Sequence, residues 1–220
     1  LPPEALRTVY HEGVHWVTSA FEAEVPLWFN EGLAEVLSTF EVEDGKARWG
    51  EALQNHIDYL GYYGLQPLDD FLRVSQDEAL HGSGGYYPQA WVFTHFFMFG
   101  NNGTERSRLA KFLNQLQETD LDTAFVAAFD ESYEGVTNDL RTYLRGGRYG
   151  IALLDTRDRG SEMAVEPASA ATVEFALARL AAGGGNDELA RKHLDAVLAL
   201  APRAAPAFEL LALLAQRADD

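Results

Sequence analysis

The sequence predicts a mainly α fold: a helical domain over residues 1–150, a linker over 151–166 and a helical-hairpin segment over 167–220. Three observations carry that reading. The residues flanking His11-Glu12-Gly13-Val14-His15 are helical in character, and Pro26 opens a second helix soon after. Residues 86–100 are apolar nearly all round, the pattern of a buried helix. From Pro167 onward the chain is rich in Ala and Leu, with small and large apolar residues alternating at helical spacing.

The first helix carries the chemistry. Pro2 and Pro3 suit a first helical turn and Glu4 suits its positive end. Leu6, Val9, Val14, Val17 and Phe21 form an apolar stripe expected to bury the helix. Residues four apart lie one above the other on a helix, so His11 and His15 can offer two imidazole nitrogens to one cation. Glu12 is then beside the metal without having to bind it, where a general base belongs. The second helix spans about residues 26–40, and a short connection makes the two helices antiparallel. Glu31 on the second can therefore face His11 and His15. Two His, one Glu and an open fourth position form the ligand set of a catalytic Zn2+ site.

His11-Glu12-x-x-His15 followed by Leu27-Trp28-Phe29-Asn30-Glu31-Gly32-Leu33-Ala34 resembles the gluzincin metallopeptidases, the clan of thermolysin and the zinc aminopeptidases. The nearest likeness is to the bacterial peptidase-MA-like proteins, and it covers about residues 5–145. Aminopeptidases of the clan place about 18 residues between the second His and the Glu. This chain has 15, Trp16 to Asn30, which departs from a standard aminopeptidase and keeps the broader clan. The resemblance implies a zinc peptidase with peptide or protein substrates. It also implies that Glu35, one turn after Glu31 on the same face, hydrogen-bonds the non-metal nitrogen of His11, or failing that of His15. In gluzincins a β-rich segment precedes the zinc helix. Here the motif lies ten residues from the start, so the chain is expected to be a piece of a longer protein. A signal peptide lost with that piece would make the protein a resident of the bacterial envelope or a secreted one.

Composition sets outer bounds. A chain of 220 residues with 47% hydrophobic residues is long enough for a real core. The formal charge of −17 argues against nucleic acid and anionic membrane surfaces as partners. Cysteine is absent, which excludes disulfides and thiolate metal sites. No apolar run is long enough to span a membrane.

The remaining elements follow in order. Asp44-Gly45 within residues 41–50 marks a turn or hairpin tip. Residues 51–64 form a short helix whose His56 has no partner at metal spacing and reads as a surface or core histidine. Gln66 to Leu72 starts another short helix. Residues 73–85 read as a polar, mobile, Gly-rich loop beside the cleft. In the apolar helix that follows, His95 reads as a hydrogen-bonded core residue. Gluzincins carry a Tyr at the start of such a helix, and the Tyr-x-x-small pattern selects Tyr87 with Ala90, with Tyr86 as the second choice. The resemblance gives that Tyr the role of donor to the oxyanion of a tetrahedral intermediate. Residues 104–117, 121–129 and 135–144 are amphipathic helices, the middle one capped by Asp120. Residues 151–166 read as a linker or an extended strand.

In the tail, residues 171–182, 187–200 and 205–218 are helices separated by Gly183-Gly184-Gly185 and Ala201-Pro202. Ala190, Leu194, Ala196, Val197, Leu200 and Pro202 sit where tetratricopeptide repeats put packing residues, so the segment resembles one and a half such repeats. Solenoids need about three repeats for stability, so the array is either cut short or docked on the first domain. A competing reading makes the protein a non-catalytic, zinc-containing scaffold that binds protein partners through these repeats. The presence of Glu12 weighs against it, because a structural zinc needs no base.

Overall fold

The computed structural model describes residues 3–19, 25–81, 84–156 and 166–219. Pro2, Phe21 and the tip of the Gly-rich stretch at 82–83 lie outside them. The fold is mainly α, and the chain separates into two compact units, residues 1–160 and 161–220.

In the first unit, α1 (Pro3–Thr18) packs on α2 (Leu27–Leu37). Thr18 meets Asn30, His11 meets Glu35 and Tyr10 meets Phe40, so the two helices run antiparallel. The apolar stripe expected to bury α1 does not do so. Val9 and Val17 are about half exposed and Leu6 is exposed as well. The reason is angular: two residues span about 200° on a helix, so turning His11 and His15 toward α2 turns Val9 and Val17 away.

After α2 the chain makes a hairpin of β1 (Glu41–Glu43) and β2 (Lys46–Trp49). Asp44 and Gly45 both take positive φ, 50° and 72°, as a tight primed turn requires. β3 (Ala152–Asp155) pairs antiparallel with β2, so part of the 151–166 segment is a strand of this sheet. Next come α3 (Gln54–Tyr63) and α4 (Leu68–Leu72), and then α5 (Gln76–His81), where a loop was expected. Ser75 and Glu78 explain α5. The Ser75 N–H donates to the Glu78 carboxylate at 2.9 Å, and the Glu78 N–H returns to Ser75 Oγ at 3.4 Å, forming a capping box.

The centre of the unit is α6 (Tyr86–Phe99), buried along nearly its whole length. On one side Trp28 of α2 stacks on Phe112 and meets Phe93 edge-on, at ring separations of 5.6 and 5.0 Å. Phe71, Tyr86, Phe96, Phe97, Phe125 and Phe129 belong to the same cluster. On the other side Val36, Leu53, Leu60, Trp91 and Phe99 form a second cluster. Helix α6 ends in a 3-10 turn, Gly100–Gly103, with Asn101 and Asn102 in the left-handed region. Helices α7 (Arg106–Gln115), α8 (Leu121–Phe129) and α9 (Tyr133–Gly146) follow. Asp120 caps α8 by accepting from the Thr123 N–H at 3.0 Å.

The second unit is α10 (Ala170–Gly183), α11 (Asp187–Leu200) and α12 (Ala205–Asp219). Ala178, Ala182, Ala190, Leu194, Val197, Ala207 and Leu214 form its core. Leu200, read from the sequence as a packing residue, is 57% exposed, because it falls on the last turn of α11 beyond that core. Among the described residues, no helix is long and apolar enough to cross a membrane.

Candidate metal centre

Three side chains from α1 and α2 converge on one point. His11 Nε2 lies 3.1 Å from His15 Nε2, and Glu31 Oε2 lies 3.4 Å from each of them. Helical spacing brings the two imidazoles together, and the antiparallel partner brings the carboxylate. These separations test whether zinc fits. Ligand atoms about 2.0–2.1 Å from a tetrahedral zinc stand about 3.3–3.4 Å apart, which matches the two separations to Glu31, while the 3.1 Å between the imidazoles is slightly shorter. The donor set also fits, since two imidazole nitrogens and one carboxylate oxygen suit a borderline-soft divalent ion. Among the described residues, this is the one cluster of three His, Cys, Asp or Glu side chains able to hold a metal.

Electrostatics favour positive charge at the same point. Burial works against charging the His11 ring, but the carboxylates of Glu31 and Glu35 outweigh it and hold the pKa up at about 9. A site that stabilises an imidazolium there also stabilises a divalent cation. Glu35 shows the reciprocal effect. Burial pushes its carboxyl up, and the bonds to His11 and His56 reverse this, leaving it at about 2.

The other expected residues surround this triangle. Glu35 Oε1 lies 3.4 Å from His11 Nδ1, the nitrogen turned away from the triangle. Among the described residues the buried His15 Nδ1 has no hydrogen-bond partner, so the two histidines are held differently. Glu12, His11, Glu35 and Tyr87 line a cleft of ≈ 390 Å³ together with Arg7, Thr8 and Ser38. The Tyr87 ring is 6.5 Å from that of His11. Burial raises the Tyr87 hydroxyl pKa, and so does the negative charge of Glu31, Glu35 and Glu12. The phenol is thereby kept protonated and able to donate. Tyr86 instead turns into the core against Phe71, with ring centres 5.2 Å apart. A larger hollow of ≈ 570 Å³, near Phe99, Asn101 and Tyr143, contains none of these residues.

Two features of the site had no sequence signal. Thr18 donates to Asn30 Oδ1 at 2.8 Å and ties the end of α1 to the start of α2. His56 on α3 lies 3.0 Å from Glu35 Oε2. It comes 21 residues after Glu35, across a hairpin, so no helical spacing rule links them. His95, expected in the core, is there: its Nε2–H donates to the Gly50 carbonyl and its Nδ1 accepts from the Tyr143 hydroxyl, each at 2.8 Å. Comparisons with family models, with curated proteins and with solved structures found no match to the chain.

Proposed function

We propose that residues 1–150 form a gluzincin-type zinc peptidase domain that hydrolyses peptide bonds. The observation that carries this reading is the triangle of His11 Nε2, His15 Nε2 and Glu31 Oε2, with His11 and Glu12 together on the wall of one cleft. His11, His15 and Glu31 would hold the metal. Bound there, zinc supplies Lewis acidity, which eases deprotonation of water at neutral pH and polarises the scissile carbonyl. Glu12 takes the proton of the attacking water and passes it to the leaving nitrogen. Tyr87 donates a hydrogen bond to the carbonyl oxygen as negative charge develops on it. Glu35 holds the His11 ring in the orientation that presents Nε2. The second unit, with its Ala/Leu packing between α10, α11 and α12, is a tetratricopeptide-like segment that offers a surface to a protein partner.

The test is metal analysis of the protein and of His11→Ala, run beside cleavage of a peptide library by the protein and by Glu12→Gln. About one zinc per chain is expected, lost in His11→Ala and kept in Glu12→Gln. Gln has the shape of Glu but cannot accept the proton, so hydrolysis falls at least ~100-fold. A protein that takes up no zinc at neutral pH, or a fully active Glu12→Gln, overturns the reading.

A further inference from the structure

We propose that His56 is a positioning residue of the metal centre: it fixes the Glu35 carboxylate, which in turn sets the orientation of the His11 ring. The inference rests on the metal-centre reading and reaches one layer beyond it, to a residue on a third helix.

The geometry is a chain of contacts. His11 Nε2 points into the ligand triangle, and its other nitrogen, Nδ1, faces Glu35 Oε1 at 3.4 Å. The second oxygen of the same carboxylate, Oε2, lies 3.0 Å from His56 Nε2. Each oxygen of Glu35 therefore has one imidazole. An ionised carboxylate only accepts, so His56 donates from Nε2.

The need for His56 follows from the torsions of Glu35. The terminal torsion of a Glu side chain is broad and roughly two-fold, so one contact leaves the carboxylate plane free to turn. A second contact from the opposite side fixes the plane, and with it the direction in which Oε1 meets His11. Outer partners of this kind tune metal affinity because they hold the ligand ring in place before the metal arrives.

His56 is itself well anchored. It is buried, with 8% of its surface exposed. Its N–H donates to the Leu53 carbonyl in the first turn of α3, at 3.0 Å. Its ring lies 6.0 Å from that of Trp91, a fully buried residue of α6. A buried imidazole must have its polar atoms satisfied, and Glu35 satisfies Nε2. The effect is to tie α1, α2 and α3 to one point, with α6 behind them.

The experiment compares zinc affinity, by competition with a chelator, in the parent, His56→Phe, His56→Gln, Glu35→Ala and the double variant His56→Phe/Glu35→Ala. Phe keeps a ring beside Trp91 and removes the donor, whereas Gln keeps an N–H that can reach Glu35. His56→Phe should weaken zinc binding by about 10-fold and His56→Gln by no more than about 3-fold. Glu35→Ala should cost about 10- to 100-fold, and the double variant should be no weaker than Glu35→Ala alone. Absorption of the cobalt(II)-substituted protein should shift in His56→Phe and return toward the parent in His56→Gln. Melting of the apo forms shows whether a variant has lost its fold. If His56→Phe binds zinc like the parent, or the two losses multiply in the double variant, His56 does not act through Glu35 and the proposal falls. Tight zinc binding without peptide cleavage would remove the peptidase reading and leave His56 in place. Failure of the parent to bind zinc removes both.

Discussion

Gly32 on α2 lies directly against Thr94 on α6, with no room for a methyl group between them. A Cβ at Gly32 would overlap the Thr94 hydroxyl and the Ala90 carbonyl oxygen. The backbone of Gly32 is helical, so the glycine is required for space and not for its torsion angles. This contact sets how closely α2 approaches the central helix, and the neighbouring residue is Glu31.

Gly32→Ala therefore sets two effects against each other. Alanine is the better helix former by about 1 kcal/mol. Overpacking a tight core contact costs typically about 1–3 kcal/mol, and here the obstacles are a backbone oxygen and a short side chain that cannot swing away. We expect net destabilisation in a denaturant titration. Zinc affinity should also weaken, because displacing α2 moves Glu31 relative to His11 and His15. A variant as stable as the parent would show that the helices have slack.

The two adjacent tyrosines separate by environment. Tyr87 edges the cleft with Glu12, whereas Tyr86 is buried against Phe71. Tyr87→Phe should lower kcat about 100-fold, the scale for loss of one oxyanion donor, with little change in KM or zinc content. Tyr86→Phe should leave kcat within a few-fold. Steady-state kinetics on any peptide the parent cleaves decides between them, and the reverse pattern would transfer the role to Tyr86.

The residues show why some of this was legible in the sequence. The His11, His15 and Glu31 triangle is readable because His11 and His15 are set by helical spacing and Glu31 by one short connection. The hairpin at 41–49 is readable because Asp44-Gly45 takes the positive φ angles that few other residue pairs tolerate. The α5 helix was missed because the polar composition of residues 73–85 outweighed the Ser75-x-x-Glu78 box that starts it. The α1 stripe was misread because periodicity identifies an apolar face without saying which face a neighbour covers. The Glu35–His56 pair was invisible because it depends on how α2 and α3 each pack on α6, a tertiary relation with no local pattern.

In the second unit, Leu194 is fully buried between the helices. Leu194→Ala removes that packing and leaves a cavity, at a typical cost of about 2–5 kcal/mol. A three-helix unit this small has little stability to spare. Its helices should melt at lower temperature in the variant, visible as an earlier loss of helical circular dichroism. Melting unchanged from the parent would mean that the α10–α12 core contributes little to holding these helices.

The last prediction concerns pH and a histidine away from the candidate metal centre. His95 is fully buried on α6, and burial lowers its pKa to about 4, only partly offset by the bond to the Gly50 carbonyl. Nε2 donates to that carbonyl and Nδ1 accepts from Tyr143, so the folded protein holds the ring neutral. The unfolded chain protonates it near the ordinary value of about 6.5. Above that pH both states hold a neutral ring and His95 adds no pH dependence. As pH falls from about 6.5 to about 4, only the unfolded state binds the proton, so stability drops by up to about 3 kcal/mol. Below about 4 both states bind it and the loss levels off. His95→Gln should remove this contribution: its stability between pH 7 and pH 4.5 should fall less steeply than the parent's, although the variant is less stable at pH 7 because Gln cannot reproduce both bonds. Denaturant midpoints measured across that range check the slope. Parallel curves for parent and variant would show that His95 is not held neutral by its burial.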